Sequence, residues 1–317
     1  MKFPVFDLHC DTSFAMLGKD LMGLKPLDNN DLHIDLNRAK KLDGYAQCFG
    51  CFTTPGFREW HQASPLVVFE REIGAILSEM ERNSGVIRQA FSANEIRENY
   101  ENGIMSGILT IEGPAGFGFD PGLLQDLHMV GFRMTSLGWN EQNPLTGSHK
   151  TGGGLTEQGR EFVREAQRVG MMVDVSHISD EGFWNIMDIT EKPIVASHSN
   201  SRAVCDVSRN LTDDMFRAIC QTGGTVGFNH CAPFVGKDPN LDTAADHILH
   251  FLELDPDCRH ISLGGDLDGC DELTGGINGI QDYPKMAEVL LRRGLTEEMV
   301  RRIFWDNALE VLEKCSM

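Results

Sequence analysis

Eight short apolar runs, each followed by a stretch with helical spacing, do most to limit what this chain can fold into. They occupy residues 4–10, 44–52, 103–113, 131–138, 171–177, 193–199, 224–230 and 260–266. Amphipathic segments lie between them, with apolar residues three and four positions apart; the clearest is 66–82. Their ends carry helix punctuation. Thr156 precedes and Gly170 follows one segment, and Thr212 and Gly223 bracket another. Ser92 with Glu95 three residues on is a capping-box pattern. Segments 243–255 and 296–314 follow the same rules. Strands separated by helices pair in parallel through right-handed crossovers. Eight of them close most simply into an α/β, (β/α)8 TIM-type barrel. An open doubly wound sheet is the alternative, but no G-x-G-x-x-G follows the first run and no P-loop sequence occurs. The Gly-rich stretch 151–159 reads as a mobile loop leading into a helix. No break in composition divides the chain, so residues 1–317 are expected to form a single domain.

The residues that end the strand-like runs carry the chemistry. His9 and Asp11 end the first as His-x-Asp. On a regular strand, positions i and i+2 share a face, so imidazole and carboxylate would project together. Glu112 ends the third run, His177 the fifth and His198 the sixth; Asp266 ends the eighth, with Asp268 just beyond. Each alone reads as well as a satisfied polar residue or a helix cap. Barrel sites gather at the C-terminal ends of strands, so closure would bring all of these to one rim. Three protein ligands and a water suffice for one catalytic zinc. The surplus points to two metals sharing a carboxylate, with Glu112 as the bridge.

A net charge of −19 argues against nucleic acid or an anionic membrane as partner. The first residues lack the apolar core of a signal peptide, and no run approaches the roughly 20 apolar residues of a membrane span. Nine scattered cysteines fit reduced thiols and a cytoplasmic protein better than a disulfide framework. Cys48 and Cys51 form a C-x-x-C, but within a strand-like run, where the two sulfurs face opposite sides and read as buried small apolar residues.

The stretches "DLHCDT", "TIEG", "DVSH", "ASHSNSRAVCDVSRNLTDD" and "LGGDLDG", in this order, resemble the renal (membrane) dipeptidase family of zinc peptidases in the amidohydrolase superfamily. The resemblance spans essentially the whole chain. It implies a di-zinc barrel that hydrolyses dipeptides with a water held and acidified between two Zn(2+) ions; the same donors also permit other divalent metals. It implies His9 and Asp11 on the first zinc, Glu112 across both, and His177 and His198 on the second. Arg209 matches the family arginine that grips the dipeptide carboxylate, and Asp266 matches the acid that transfers protons. A homodimer is also a family expectation.

There is one departure. Where members of the mammalian type carry a substrate-contacting His, this chain has Trp139. Asn140 and His149 are the nearby residues available to compensate, so Arg209, Asn140 and Trp139 make the expected substrate-binding set. His230, ending the seventh run, reads as a pocket residue or as a structural histidine. One rival is a barrel hydrolase acting on another small amide, a lactone or an ester. Many such barrels bridge their metals with a Lys from strand 4, and run 131–138 offers none. A non-catalytic scaffold is the other rival, and it would bury carboxylates and imidazoles at a cost.

Overall fold

Residues 3–316 are described by the structure, a computed structural model. Nine strands follow in chain order: β1 (Val5–Cys10), β2 (Tyr45–Phe52), β3 (Ile87–Gln89), β4 (Met105–Glu112), β5 (Phe132–Ser136), β6 (Met172–Asp174), β7 (Ile194–Ala196), β8 (Thr225–Phe228) and β9 (Ile261–Leu263). All but β3 lie in the eight expected runs. β1 pairs with β2 and β9, and β2 pairs with β4, so these eight close a ring in which every pairing is parallel. The expected barrel is the observed one. Every residue of these eight strands is buried, as a wall with helices outside and side chains inside requires. β3 was not expected: it is three residues long with one apolar member. It pairs with Met105–Gly107, on the β4 edge that β5 takes over from Leu109.

Local capping chemistry sets most helix ends. Thr156 accepts a bond from Gly159 N and Thr212 one from Met215 N, while Gly170 and Gly223 end those helices in the left-handed region. Ser92 caps its helix through Glu95 N, but the Glu95 carboxylate turns to Phe91 N, so only half of the expected box forms. The full box is at Asn240 and Thr243, which starts that helix at Leu241, two residues before the sequence suggested. The expected helix 296–314 is broken by a π-turn at Arg302–Asp306 between helices Glu297–Arg301 and Asn307–Ser316.

One apolar cluster gathers Leu8, Cys48, Ile108, Met134, Met172 and Val195 with Trp305, Leu309 and Leu312. Side chains from six strands meet this way only inside the barrel, so the C-terminal helix closes one end of it. Cys51 belongs to the other cluster, against the outer helices; the C-x-x-C sulfurs do face opposite sides. All nine cysteines are free thiols. Among the described residues no helix is long and apolar enough to cross a membrane.

The β1–β2 register slips between Asp7 and Cys10, so that Leu8 and His9 together oppose Cys48. Such a bulge re-aims a side chain, and here it turns His9 toward the open end. This corrects the simple strand argument. Asp11 lies beyond β1 with φ −101° and ψ 21°, so a regular i, i+2 strand is not what brings it beside His9.

Candidate metal centre

At the C-terminal ends of the strands, His9, Asp11, Glu112, His177, His198 and Asp266 converge, all of them buried. His9 Nε2 lies 3.5 Å from Asp11 Oδ2, 3.5 Å from Glu112 Oε2 and 3.8 Å from Asp266 Oδ1. The other oxygen of Glu112 faces the opposite way: Oε1 is 3.0 Å from His177 Nε2 and 3.7 Å from His198 Nε2. One carboxylate therefore addresses two donor groups at once. His9 and His198 stack with centroids 3.8 Å apart. Asp268 is not part of the cluster. It accepts from Thr12 Oγ1 at 2.6 Å and from His33 N at 2.6 Å, tying down the loop after β1.

Hydrogen-bond accounting fixes where the lone pairs point. Ser197 Oγ donates its one proton to Asp174 Oδ2 at 2.5 Å and must therefore accept from His198 Nδ1, 2.6 Å away. That leaves His198 Nε2 with a lone pair. Asn140 Oδ1 accepts from His177 Nδ1 at 3.1 Å, so His177 Nε2 carries a lone pair as well. These two lone pairs face each other at 3.0 Å, with Glu112 Oε1 alongside. Burial holds both imidazoles well below the usual histidine range, so no proton relieves the repulsion. Burial also pushes His9 down, but the carboxylates of Glu112, Asp11 and Asp266 outweigh it and hold His9 up at about 10. The field of the cluster favours positive charge.

The residues fit divalent cations. His9 Nε2 and Asp11 Oδ1 are buried with no hydrogen-bond partner. A Cβ at Gly269 would lie against Asp11 Oδ2 and Asp266 Oδ1, so this glycine keeps the space between the two carboxylates open. Donors bound roughly 2.0–2.2 Å from one ion stand about 3–3.5 Å apart, close to the spacings found here. His177 and Asp266 hold φ values of 69° and 57°, a left-handed backbone that costs non-glycine residues about 1–3 kcal/mol each and is found where function over-determines the chain.

Beside the cluster, Arg209 is buried. Its Nη1 donates to Ser199 Oγ at 2.8 Å, and its Nε and Nη2 have no partner. Burial lowers its pKa, opposed by Asp266, Asp174 and Glu112. A guanidinium edge with two free donors is shaped for a carboxylate. Trp139 borders the cluster, its ring 5.1 Å from Phe52 and 6.3 Å from His177. The oxygen of Asn140, a member of the expected substrate-binding set, meets His177 Nδ1 and also His149 Nε2 at 2.8 Å. His149 in turn meets Ser208 Oγ at 3.0 Å, next to Arg209.

His230 sits against Tyr283 with Nδ1 3.3 Å from Thr274 Oγ1 and Nε2 unpartnered; burial pushes its pKa down to about 3. The unfolded chain binds a proton at this histidine below about pH 6.5 and the native state does not, so stability falls as pH drops from 6.5 toward 3. His230→Gln should remove a slope of about 1.4 kcal/mol per pH unit from that window. Urea melts of both proteins between pH 4 and 7 measure it; parallel slopes would refute it.

Several functional groups were missed from the sequence. Asp174 accepts from Ser176 N, Ser197 N and Ser197 Oγ, and so orients His198. Asp7 accepts from His9 N, Gly265 N and the Tyr283 hydroxyl, joining β1 to β9 beneath the cluster. Asn229 holds Asp266 Oδ2 at 3.0 Å. The available signal was a carboxylate inside an apolar run, in "PVFDLHC" and "MMVDVSH", since a buried charge demands partners.

Comparison with known proteins gives a consistent result. The family model for membrane dipeptidase (peptidase family M19) matches residues 1–317. An uncharacterized Klebsiella pneumoniae protein from the pqqA 5′ region is 30% identical over 78% of this chain and 96% of its own length. Dipeptidase verJ of Clonostachys rogersoniana is 26% identical over 98% of this chain and 84% of its own. A Rhodobacter sphaeroides metallopeptidase, solved with a phosphinate mimic of the dipeptide L-Ala-D-Ala, superimposes with a TM-score of 0.88 at 26% identity, covering 99% of this chain and 100% of that one.

Proposed function

Because the chain belongs to the membrane dipeptidase family and is a metallo-dipeptidase, we propose that its buried cluster holds two zinc ions. His9, Asp11 and Glu112 Oε2 would take one, and His177, His198 and Glu112 Oε1 the other. The observation that carries this reading is the pair of imidazole lone pairs facing each other at 3.0 Å beside a carboxylate whose second oxygen serves another donor group. Bound there, the ions supply Lewis acidity toward the scissile carbonyl and acidify a water to near-neutral pKa.

The chain's own groups do the rest. Arg209 offers Nε and Nη2 to the terminal carboxylate of a dipeptide, a planar fork that a lysine would not reproduce. A clamp at one end and the cluster at the other would suit a short peptide with a free C-terminus. Asp266 points Oδ1 into the cluster while Asn229 steadies Oδ2. Burial raises its pKa, which suits a group that takes a proton from water and hands it to the leaving amine. Trp139 forms one wall. The neighbour that holds an L-Ala-D-Ala mimic supports a place for dipeptides with a D-configured C-terminal residue among the substrates. Hydrolysis of L,L and L,D dipeptides by the zinc-loaded protein, set against an ester panel, tests the reading; turnover of esters alone would overturn it.

The Asp174–Ser197–His198 chain gives a further expectation. Ser197→Ala frees the His198 tautomer and should weaken metal affinity by roughly 10–100-fold, the usual cost of losing such an outer partner. Competition with a chromophoric chelator reads it directly. Unchanged affinity would remove Ser197 from the design of the site.

A further inference from the structure

Two thiols at the rim take no part in the mechanism above. Cys231 follows β8 and Cys270 follows β9, and their sulfurs lie with a carboxylate oxygen of Asp266 all within 4.8 Å of one another. Both loops are pinned by other bonds. Cys231 N donates to Asn229 Oδ1 at 2.6 Å, and Ala232 N reaches across to Glu272 O at 2.9 Å. Gly269 N donates to Asp266 O at 3.1 Å, and Cys270 Sγ lies 3.5 Å from the same oxygen. Cys231 is buried and Cys270 is half-buried. Among the described residues it is the one such donor group that contains cysteine.

We propose that Cys231, Cys270 and Asp266 bind a thiophilic d10 cation, and that occupancy inhibits the enzyme by engaging Asp266. Two sulfurs and one oxygen select a soft divalent ion over calcium or magnesium. Three protein donors leave a fourth position for water. As each metal–sulfur bond forms, the thiol gives its proton to solvent; up to two protons leave per ion and no electron is transferred. The inhibitory part rests on Asp266 as proton carrier; the binding part does not.

Cadmium is the probe. Titrating CdCl2 into the zinc-loaded protein should raise a thiolate-to-cadmium charge-transfer band that saturates at one equivalent, with proton release and with dipeptide hydrolysis falling in step. The band comes only from sulfur donors, so exchange of zinc in the main cluster does not produce it. Cys231→Ser and Cys270→Ser should each weaken the band's midpoint by at least about tenfold, and Cys205→Ser should leave it unchanged. If the buried Cys231 variant fails to fold, Cys270→Ser alone carries the test. No band, or a band unchanged in the Cys270→Ser protein, overturns the site. A full band with undiminished hydrolysis overturns the inhibition. A band in a protein that hydrolyses no dipeptide refutes the proposed substrate and leaves the cation site standing.

Discussion

Stripping metal with a chelator should abolish dipeptide hydrolysis, and adding zinc back should restore it. Glu112→Gln should lower kcat/KM by about 10⁴-fold or more, the scale of losing one member of a catalytic unit. The reason is geometric. Its two oxygens face His9 on one side and His177 on the other, and an amide offers one acceptor where the carboxylate offers two. Burial and the charge of Asp11 push the Glu112 carboxyl well above its usual range, and the charge of His9 offsets them only in part. A cation supplies the missing compensation. Elemental analysis of the variant is the companion measurement. A Glu112→Gln protein that keeps two equivalents of zinc and near-normal turnover would end the bridging assignment.

The second large effect belongs to Arg209. Truncating one partner of a buried, hydrogen-bonded charge pair costs about 2–5 kcal/mol, equivalent to roughly 30- to 5,000-fold in kcat/KM. Arg209→Ala should show a loss in that range on dipeptides with a free carboxylate, with KM raised. On the same dipeptides with an amidated C-terminus the variant and the parent should differ by no more than a few-fold. Equal losses on both substrates would mean that the arginine supports the fold through Ser199 rather than gripping substrate. Arg209→Lys helps to separate the effects. It keeps the charge but offers no two-donor edge, so it should recover little.

How much of this was legible in advance depends on the range of the interaction that each feature needs. The eight barrel strands stood out because a wall buried on both faces must be apolar throughout, which a short window of sequence shows. β3 did not, because Ile87–Gln89 owes its extended form to the free edge of Met105–Gly107. Glu112, His177 and His198 could be placed at the rim from topology alone. The aim of His9 could not, since the bulge beside it exists only in the register with β2. The Asp174–Ser197 link joins neighbouring strands across 23 positions of chain, a distance over which no spacing rule operates. Arg209 became meaningful only through resemblance to a family; its isolation among buried atoms is a property of the folded site. The contacts of Asn140 were hidden for a similar reason. Its oxygen lies between two imidazoles, nine and 37 residues away in the chain, and steadies them.

Ring closure has a consequence for the time at which the protein is made. The pairing of β1 with β9 joins Asp7 to Leu263. At about 5–20 residues per second, the ribosome releases the ninth strand roughly 13 to 50 s after the first. Through that interval one margin of β1 lacks its mate, and the cylinder cannot close. The stability that ring closure confers is therefore available only once the last strand has been made.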